Sequence, residues 1–231
     1  MKIAIIPARG GSKRIPRKNI LPFRSKPMIA WSISAALESR IFERVVVSTD
    51  DEEIANIARE AGAMVPFMRP RELSDDFTPT APVIAHAIRT CIDFGWDISF
   101  ACCIYPCAPT LSIEDLRQAA HVCTERDASF VYPVTEYAHP IQRAMRRTDQ
   151  GAMQFLQPEH ELTRTQDLEK TFHDAGQFYF GKAEAWLAGL RMHTAGLGLP
   201  IPTWRVVDID TPEDWKRAEL VVGALAAVET A

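Results

Sequence analysis

The stretch Lys2-Ile3-Ala4-Ile5-Ile6-Pro7-Ala8-Arg9-Gly10-Gly11-Ser12-Lys13-Arg14-Ile15-Pro16-Arg17-Lys18-Asn19 decides the fold. It opens on a short apolar run rich in β-branched side chains, then breaks at once into proline and paired glycines. That order reads as a buried central strand running into a loop. Gly10 and Gly11 free backbone N–H groups to approach an anion, and Ser12 adds a hydroxyl. Arg9, Lys13, Arg14, Arg17 and Lys18 supply positive charge. A polyphosphate is the ligand such a loop suits.

Outward from the loop, the spacing predicts a helix over residues 27–40, with Ile29, Ile33, Ala36 and Leu37 on one face. Residues 44–48 repeat the strand signal, and Asp50-Asp51-Glu52-Glu53 caps a helix that Gly62 ends. Residues 64–67 are predicted as a short strand, 83–94 as a helix and 98–105 as a strand. Ser112 caps a helix running to residue 125, and 129–134 is another strand. This alternation predicts an α/β fold, a three-layer, Rossmann-like and mostly parallel sheet with right-handed crossovers. Residues 136–170 are polar and broken, as in a protruding hairpin or dimerisation arm. Strand-like runs return at 176–180 and 205–207, and Thr211-Pro212 opens a C-terminal helix.

A chain of 231 residues with 47% hydrophobic content accommodates one domain, residues 1–231, with the arm at 136–170 inside it. The first 37 residues carry eight Lys or Arg and no Asp or Glu, although the whole chain is net −4. A positive field confined to one end, with a pI near 5.9, suits a small anionic ligand and not nucleic acid. The apolar N-terminal run is too short for a signal peptide, and no run approaches a membrane span. The expectation is a cytoplasmic protein with neither nucleic acid nor membrane as partner. The five cysteines form no C-x-x-C pair and read as reduced thiols, with Cys107 placed just past a strand end.

Neither G-x-x-x-x-G-K-[ST] nor G-x-G-x-x-G occurs, so phosphate must be cradled another way. A second constellation is Val206-Val207-Asp208-Ile209-Asp210-Thr211, where alternation puts two carboxylates on one face. Together they suit Mg²⁺, which takes one or two carboxylates and completes its shell with water and substrate phosphates. Helix capping at Thr211 is the competing reading of the same acids. His86 and His121 fall in helices, and His139 and His173 flank the irregular region without a partnering Ser or Cys. Asp174-Ala175-Gly176-Gln177-Phe178-Tyr179 mixes a turn, polar groups and aromatics, as a sugar pocket or an ordinary core strand would.

The loop resembles the A-R-x-x-S-K-x-[IL]-P-x-K-N signature of the cytidylyltransferases that activate nonulosonic, sialic-acid-like sugars. It is matched at Ala8, Arg9, Ser12, Lys13, Ile15, Pro16, Lys18 and Asn19. Val47-Ser48-Thr49-Asp50, Arg69-Pro70, Ser74-Asp75 and Asp208-Ile209-Asp210-Thr211 match as well, in order. The resemblance implies CTP and an acidic nine-carbon sugar as substrates, Mg²⁺ as cofactor and a homodimer. It implies that Ala8, Arg9, Gly10, Gly11, Ser12, Lys13, Asn19, Arg69 and Thr80 bind nucleotide, and that Arg9, Lys13, Lys18 and Asp210 are catalytic. Asp208 and Asp210 would hold the metal, and Tyr105, Gln177 and Tyr179 would meet the sugar. Sialic acid enzymes carry Gln-Pro-Thr-Ser-Pro where this chain has Tyr105-Pro106-Cys107-Ala108-Pro109, and that departure resembles the pseudaminic acid branch.

Overall fold

The structure, a computed structural model, describes residues 1–229. Its main sheet is built from β1 (Lys2–Pro7), β2 (Arg44–Ser48), β3 (Phe100–Ile104), β4 (Phe130–Glu136), β5 (Phe172–Asp174), β6 (Phe178–Lys182) and β7 (Gly196–Pro200). The helices are α1 (Met28–Ser39), α2 (Glu52–Glu60), α3 (Thr80–Asp93), α4 (Ile113–Glu125), α5 (Ala183–Leu187) and α6 (Pro212–Glu229), with several shorter turns between them. The sheet order is β7-β4-β6-β3-β1-β2, and β5 pairs with the far end of β4. β1 lies parallel to β2 and β3, and β7 parallel to β4, whereas β6 runs antiparallel between β3 and β4.

Alternation along β1 divides the core. Ala4 and Ile6 point to the face covered by α1, α2 and α4, where Ile29, Ile33, Ile54 and Leu116 pack. Ile3 and Ile5 point to the other face, against Ile84 and Ile88 of α3 and Trp186 of α5. Cys102 and Cys103, neighbours on β3, fall in opposite layers and are wholly buried. Burial pushes the Cys102 and Cys103 thiols far above the ordinary range, so all three layers close over inert sulfur.

A third, smaller cluster positions the site. Ile15 of the N-terminal loop packs with Phe23 and Met28, with Val207 and Ile209, and with Ala218 and Val222 of α6. Burying Val207 and Ile209 leaves the intervening Asp208 and the following Asp210 on the other side of the chain. Thus apolar contacts bring the first loop and the late acidic pair to one place, about 190 residues apart in sequence.

The structure corrects several expectations. Residues 64–67 contribute an isolated bridge at Met64 to Val46 and no strand, because the chain turns away toward Arg69. Residues 203–205 form a 3₁₀ turn and 206–210 are irregular, so the expected strand at 205–207 is absent. That segment is held by side chains instead of a ladder. β7, which the sequence reading missed, is a glycine-containing edge strand with three of its five residues exposed, and so lacks an apolar signature. Within residues 136–170 a short hairpin, Met145–Arg147 with Met153–Phe155, and several 3₁₀ turns stand beside the main sheet.

Candidate active site

A cleft of about 620 Å³ opens at the ends of β1 and β3. Its walls are the loop after β1, the segment 73–80 leading into α3, the turn after β3 and residues 207–210. Arg9, Ser12, Lys13, Lys18, Asn19, Arg69, Thr80, Tyr105, Asp208 and Asp210 line it, all of them singled out from sequence.

The loop is braced rather than free. Asn19 is buried, and its Nδ2 donates to the Arg9 carbonyl at 2.9 Å while its Oδ1 accepts from Cys107 Sγ at 3.3 Å. Burial pushes the Cys107 thiol up to about 12, so this cysteine acts as a neutral donor. Arg17 adopts a left-handed backbone conformation, φ 59°, which throws its side chain back to α2. There Nη2 donates to Asp51 Oδ1 at 3.1 Å, Nη1 donates to Oδ2 at 2.5 Å, and Nη2 also pairs with Glu53. Asp51 meanwhile caps α2 by accepting the Ile54 N–H at 3.0 Å. Gly10 donates its N–H to Asp50 Oδ1 at 3.1 Å, and a Cβ there would stand 2.7 Å from Asp51 Oδ2. Only glycine fits, since the next acidic cap presses against the backbone.

The cations of the loop face carboxylates from two sides. Arg9 Nη1 donates to Asp76 Oδ1 at 2.6 Å and to the Asp75 carbonyl at 2.8 Å, and Lys13 pairs with Asp76 Oδ2. Across the cleft Arg14 pairs with Asp210 Oδ1 at 2.7 Å, Lys18 lies 3.6 Å from the same oxygen, and Lys18 Nζ also donates to the Ile209 carbonyl. Asp76 was not singled out by sequence reasoning, and Arg14 was counted only as one of the loop's charges; two adjacent acids in the polar run before α3 were the available signal for Asp76. Arg69, nearly buried, lies 3.5 Å from Asp50 and donates from Nε to Ser74 Oγ at 3.1 Å. Burial pulls its guanidinium below the ordinary value, with Asp50 acting against that shift. Asp208 opens to the cleft, yet the surrounding walls, followed by repulsion from Asp210, raise its carboxyl above the ordinary range. A cation seated between the two would relieve that repulsion.

Other expected residues sit elsewhere. Ala8 is buried and gives its N–H to the Ser48 carbonyl at 2.9 Å, and Gly11 is exposed at the loop tip. Gln177 is not among the residues that line the cleft. Its side chain is buried behind the cleft, donating to Thr110 Oγ1 at 3.3 Å and to the Arg205 carbonyl at 3.2 Å. It thereby anchors the irregular segment that carries Asp208, as does the bidentate pairing of Arg205 with Asp115 at 2.7 and 3.2 Å. Tyr179 is likewise buried, one layer behind Tyr105, whose ring it meets edge-on at 5.7 Å.

A phosphate-type loop at the strand ends of a three-layer sheet, facing paired carboxylates, is the architecture of a nucleotide-handling α/β protein. The chain belongs to the cytidylyltransferase family, whose model matches residues 3–187. It is 41% identical over 222 residues to the pseudaminic acid cytidylyltransferase of Campylobacter jejuni, covering 95% of both chains. It is 31% identical over 230 residues to the CMP-N,N'-diacetyllegionaminic acid synthase of Legionella pneumophila, covering 94% of both. In fold it is similar to CMP:2-keto-3-deoxy-manno-octonic acid synthetase complexed with CTP, with a TM-score of 0.68 at 17% identity and 99% of each chain covered. The 4-diphosphocytidyl-2C-methyl-D-erythritol synthase of Anaerococcus prevotii shares the fold at a TM-score of 0.62 and 12% identity, over 96% of this chain and 98% of that one.

Proposed function

We propose that the chain transfers CMP from CTP to the anomeric hydroxyl of a nonulosonic acid, pseudaminic acid in particular, and releases pyrophosphate. The observation that carries this reading is the single cleft in which the cationic loop and Asp208 with Asp210 face one another. The extent of the likeness to the Campylobacter jejuni enzyme favours pseudaminic acid as the sugar.

In that reaction the sugar oxygen bonds to the α-phosphorus and loses its proton, while the α–β bridging bond breaks and its electrons leave with pyrophosphate. Such transfers are catalysed chiefly by alignment and charge stabilisation. Arg9, Lys13 and Lys18 stabilise the departing pyrophosphate, exchanging their present carboxylate partners for phosphate oxygens. Braced by Asn19 and Arg17, the loop reaches the transition state with little reorganisation. The two aspartates fit Mg²⁺: among the described residues no cluster of three or more His, Cys, Asp or Glu could hold a metal unaided, and a pair suits an ion that shares substrate oxygens. Bound there, Mg²⁺ would neutralise phosphate charge and acidify the attacking hydroxyl.

The same reading includes a cytoplasmic homodimer joined through residues 136–170. Support comes from the side chains this arm exposes, Met145, Met153, Leu156 and Leu162, the last 93% accessible. Among the described residues no helix is long and apolar enough to cross a membrane.

Purified protein given CTP, Mg²⁺ and a panel of pseudaminic, legionaminic, N-acetylneuraminic and octulosonic acids tests the reading. Pyrophosphate release with the highest kcat/KM for pseudaminic acid is expected. A reversed order in favour of legionaminic acid would move the assignment toward the Legionella pneumophila relative. No release with any sugar would leave a non-catalytic nucleotide-binding protein.

A further inference from the structure

The segment that carries Asp208 and Asp210 belongs to no strand, and it is tied down at three places, of which Arg205 is the middle one. Upstream, Ile201 donates its N–H to the Val134 carbonyl at 2.8 Å, and the buried Thr135 hydroxyl donates to the Ile201 carbonyl at 3.0 Å. Downstream, one oxygen of Asp214 accepts the N–H groups of Asp210 at 3.1 Å and Thr211 at 2.8 Å. Between these ends the Arg205 guanidinium makes a two-bond fork on Asp115 of α4, at 2.7 and 3.2 Å. The two side chains are only 14% and 11% exposed. The Arg205 carbonyl is held separately, by the Gln177 amide at 3.2 Å, and the same amide reaches Thr110 Oγ1 at 3.3 Å. Thr110 follows the turn whose Tyr105, Pro106 and Cys107 line the cleft, so Gln177 ties two cleft walls together.

The two carboxylates are aimed by different means. Asp210 is set by the Asp214 cap and by its own pairing with Arg14 and Lys18. Among the described residues no hydrogen bond or ion pair holds the Asp208 carboxylate. Its place follows from its backbone, which the buried Val207 and Ile209 flank and which Arg205 anchors three residues before. A guanidinium fork fixes orientation as well as distance, which a single ammonium does not.

We propose that Arg205, clamped to α4 by Asp115, is a positioning residue that sets Asp208 against Asp210 and thereby sets the divalent-cation affinity of the cleft. Arg205 touches neither the cleft loop nor the acidic pair, so the cationic grip on a triphosphate is independent of it. The inference rests on the Mg²⁺ reading of the two aspartates above.

Calorimetric titration of CTP into the full chain at a series of Mg²⁺ concentrations, alongside thermal melts, tests it. Arg205→Lys keeps the charge and loses the fork. Groups that orient metal-binding side chains carry on the order of tenfold in metal affinity. The Mg²⁺ concentration that gives half of the CTP tightening should therefore rise about tenfold, with the metal-free CTP Kd within about twofold of the parent. The double variant Arg205→Met with Asp115→Leu removes both charges together, a change that is often neutral or stabilising for a buried pair. Its melting temperature should stay near that of the parent while its Mg²⁺ requirement stays raised. A requirement that returns to the parent value in the double variant, or that rises less than about threefold in Arg205→Lys, overturns the inference and leaves the proposed function standing. Parallel weakening of CTP binding with and without metal overturns it in the same way. A parent protein whose CTP binding ignores Mg²⁺ would instead remove the metal from the proposed function, and this inference with it.

Discussion

Lys13 shows how a residue can be legible in sequence while its environment is not. Its charge, its glycine neighbours and its place after a first strand all point to phosphate. Its partner Asp76, 63 positions on, could not be read, because pairing across the cleft depends on where the segment before α3 returns. The same holds for Arg14 and Asp210. Conversely, Gln177 sits in a polar, aromatic motif that suggests ligand contact, yet its side chain is buried and its Nε2 donates to Thr110 and to the Arg205 carbonyl. Local composition gives the type of group, and only packing decides whether it faces outward. Removing Lys13 as Ala takes away one charge at the leaving pyrophosphate. Single electrostatic donors contribute about 3 to 4 kcal/mol, so kcat for pyrophosphate release should fall on the order of 10² to 10³. A loss under tenfold would remove Lys13 from the catalytic set.

At the scale of elements, those with strong periodicity or clear caps were readable. β1, β2, α1 and α2 follow from apolar runs, i to i+4 spacing and the Asp51 cap. The irregular segment at 206–210 was not, since alternation of Val207, Asp208, Ile209 and Asp210 is equally satisfied by a strand and by a side-chain-tethered coil. The pairing of Arg17 with Asp51 makes a prediction of its own. The hydrogen bond from Arg17, more than the accompanying backbone bonds, holds the Asp51 carboxyl below the ordinary range. A depressed folded value means the stabilisation is full above the unfolded value, about 3.9, and fades as pH falls through the folded one. Asn caps a helix as well as Asp does, so Asp51→Asn removes the charge and keeps the cap. Urea midpoints of parent and variant should differ at pH 7 and converge below pH 4. A gap independent of pH would exclude the ion pair as its source.

The whole molecule resolves the charge asymmetry of its sequence. Eight basic residues in the first 37 predict a local positive field, and the fold gathers Asp50, Asp51, Asp76 and Asp210 around them. On the proposed function, a ligand triphosphate would enter by exchange, taking cations from carboxylates and leaving the aspartates free for a metal. The most direct measurement is calorimetric binding of CTP, with and without Mg²⁺, to the parent protein, Lys13→Ala and the double variant Asp208→Ala with Asp210→Ala. Mg²⁺ should tighten CTP binding to the parent at least tenfold, and Lys13→Ala should weaken binding in both conditions. The double variant should lose the Mg²⁺ enhancement while still binding CTP without metal; an enhancement preserved in that variant would contradict a triphosphate held between the loop and the acidic pair.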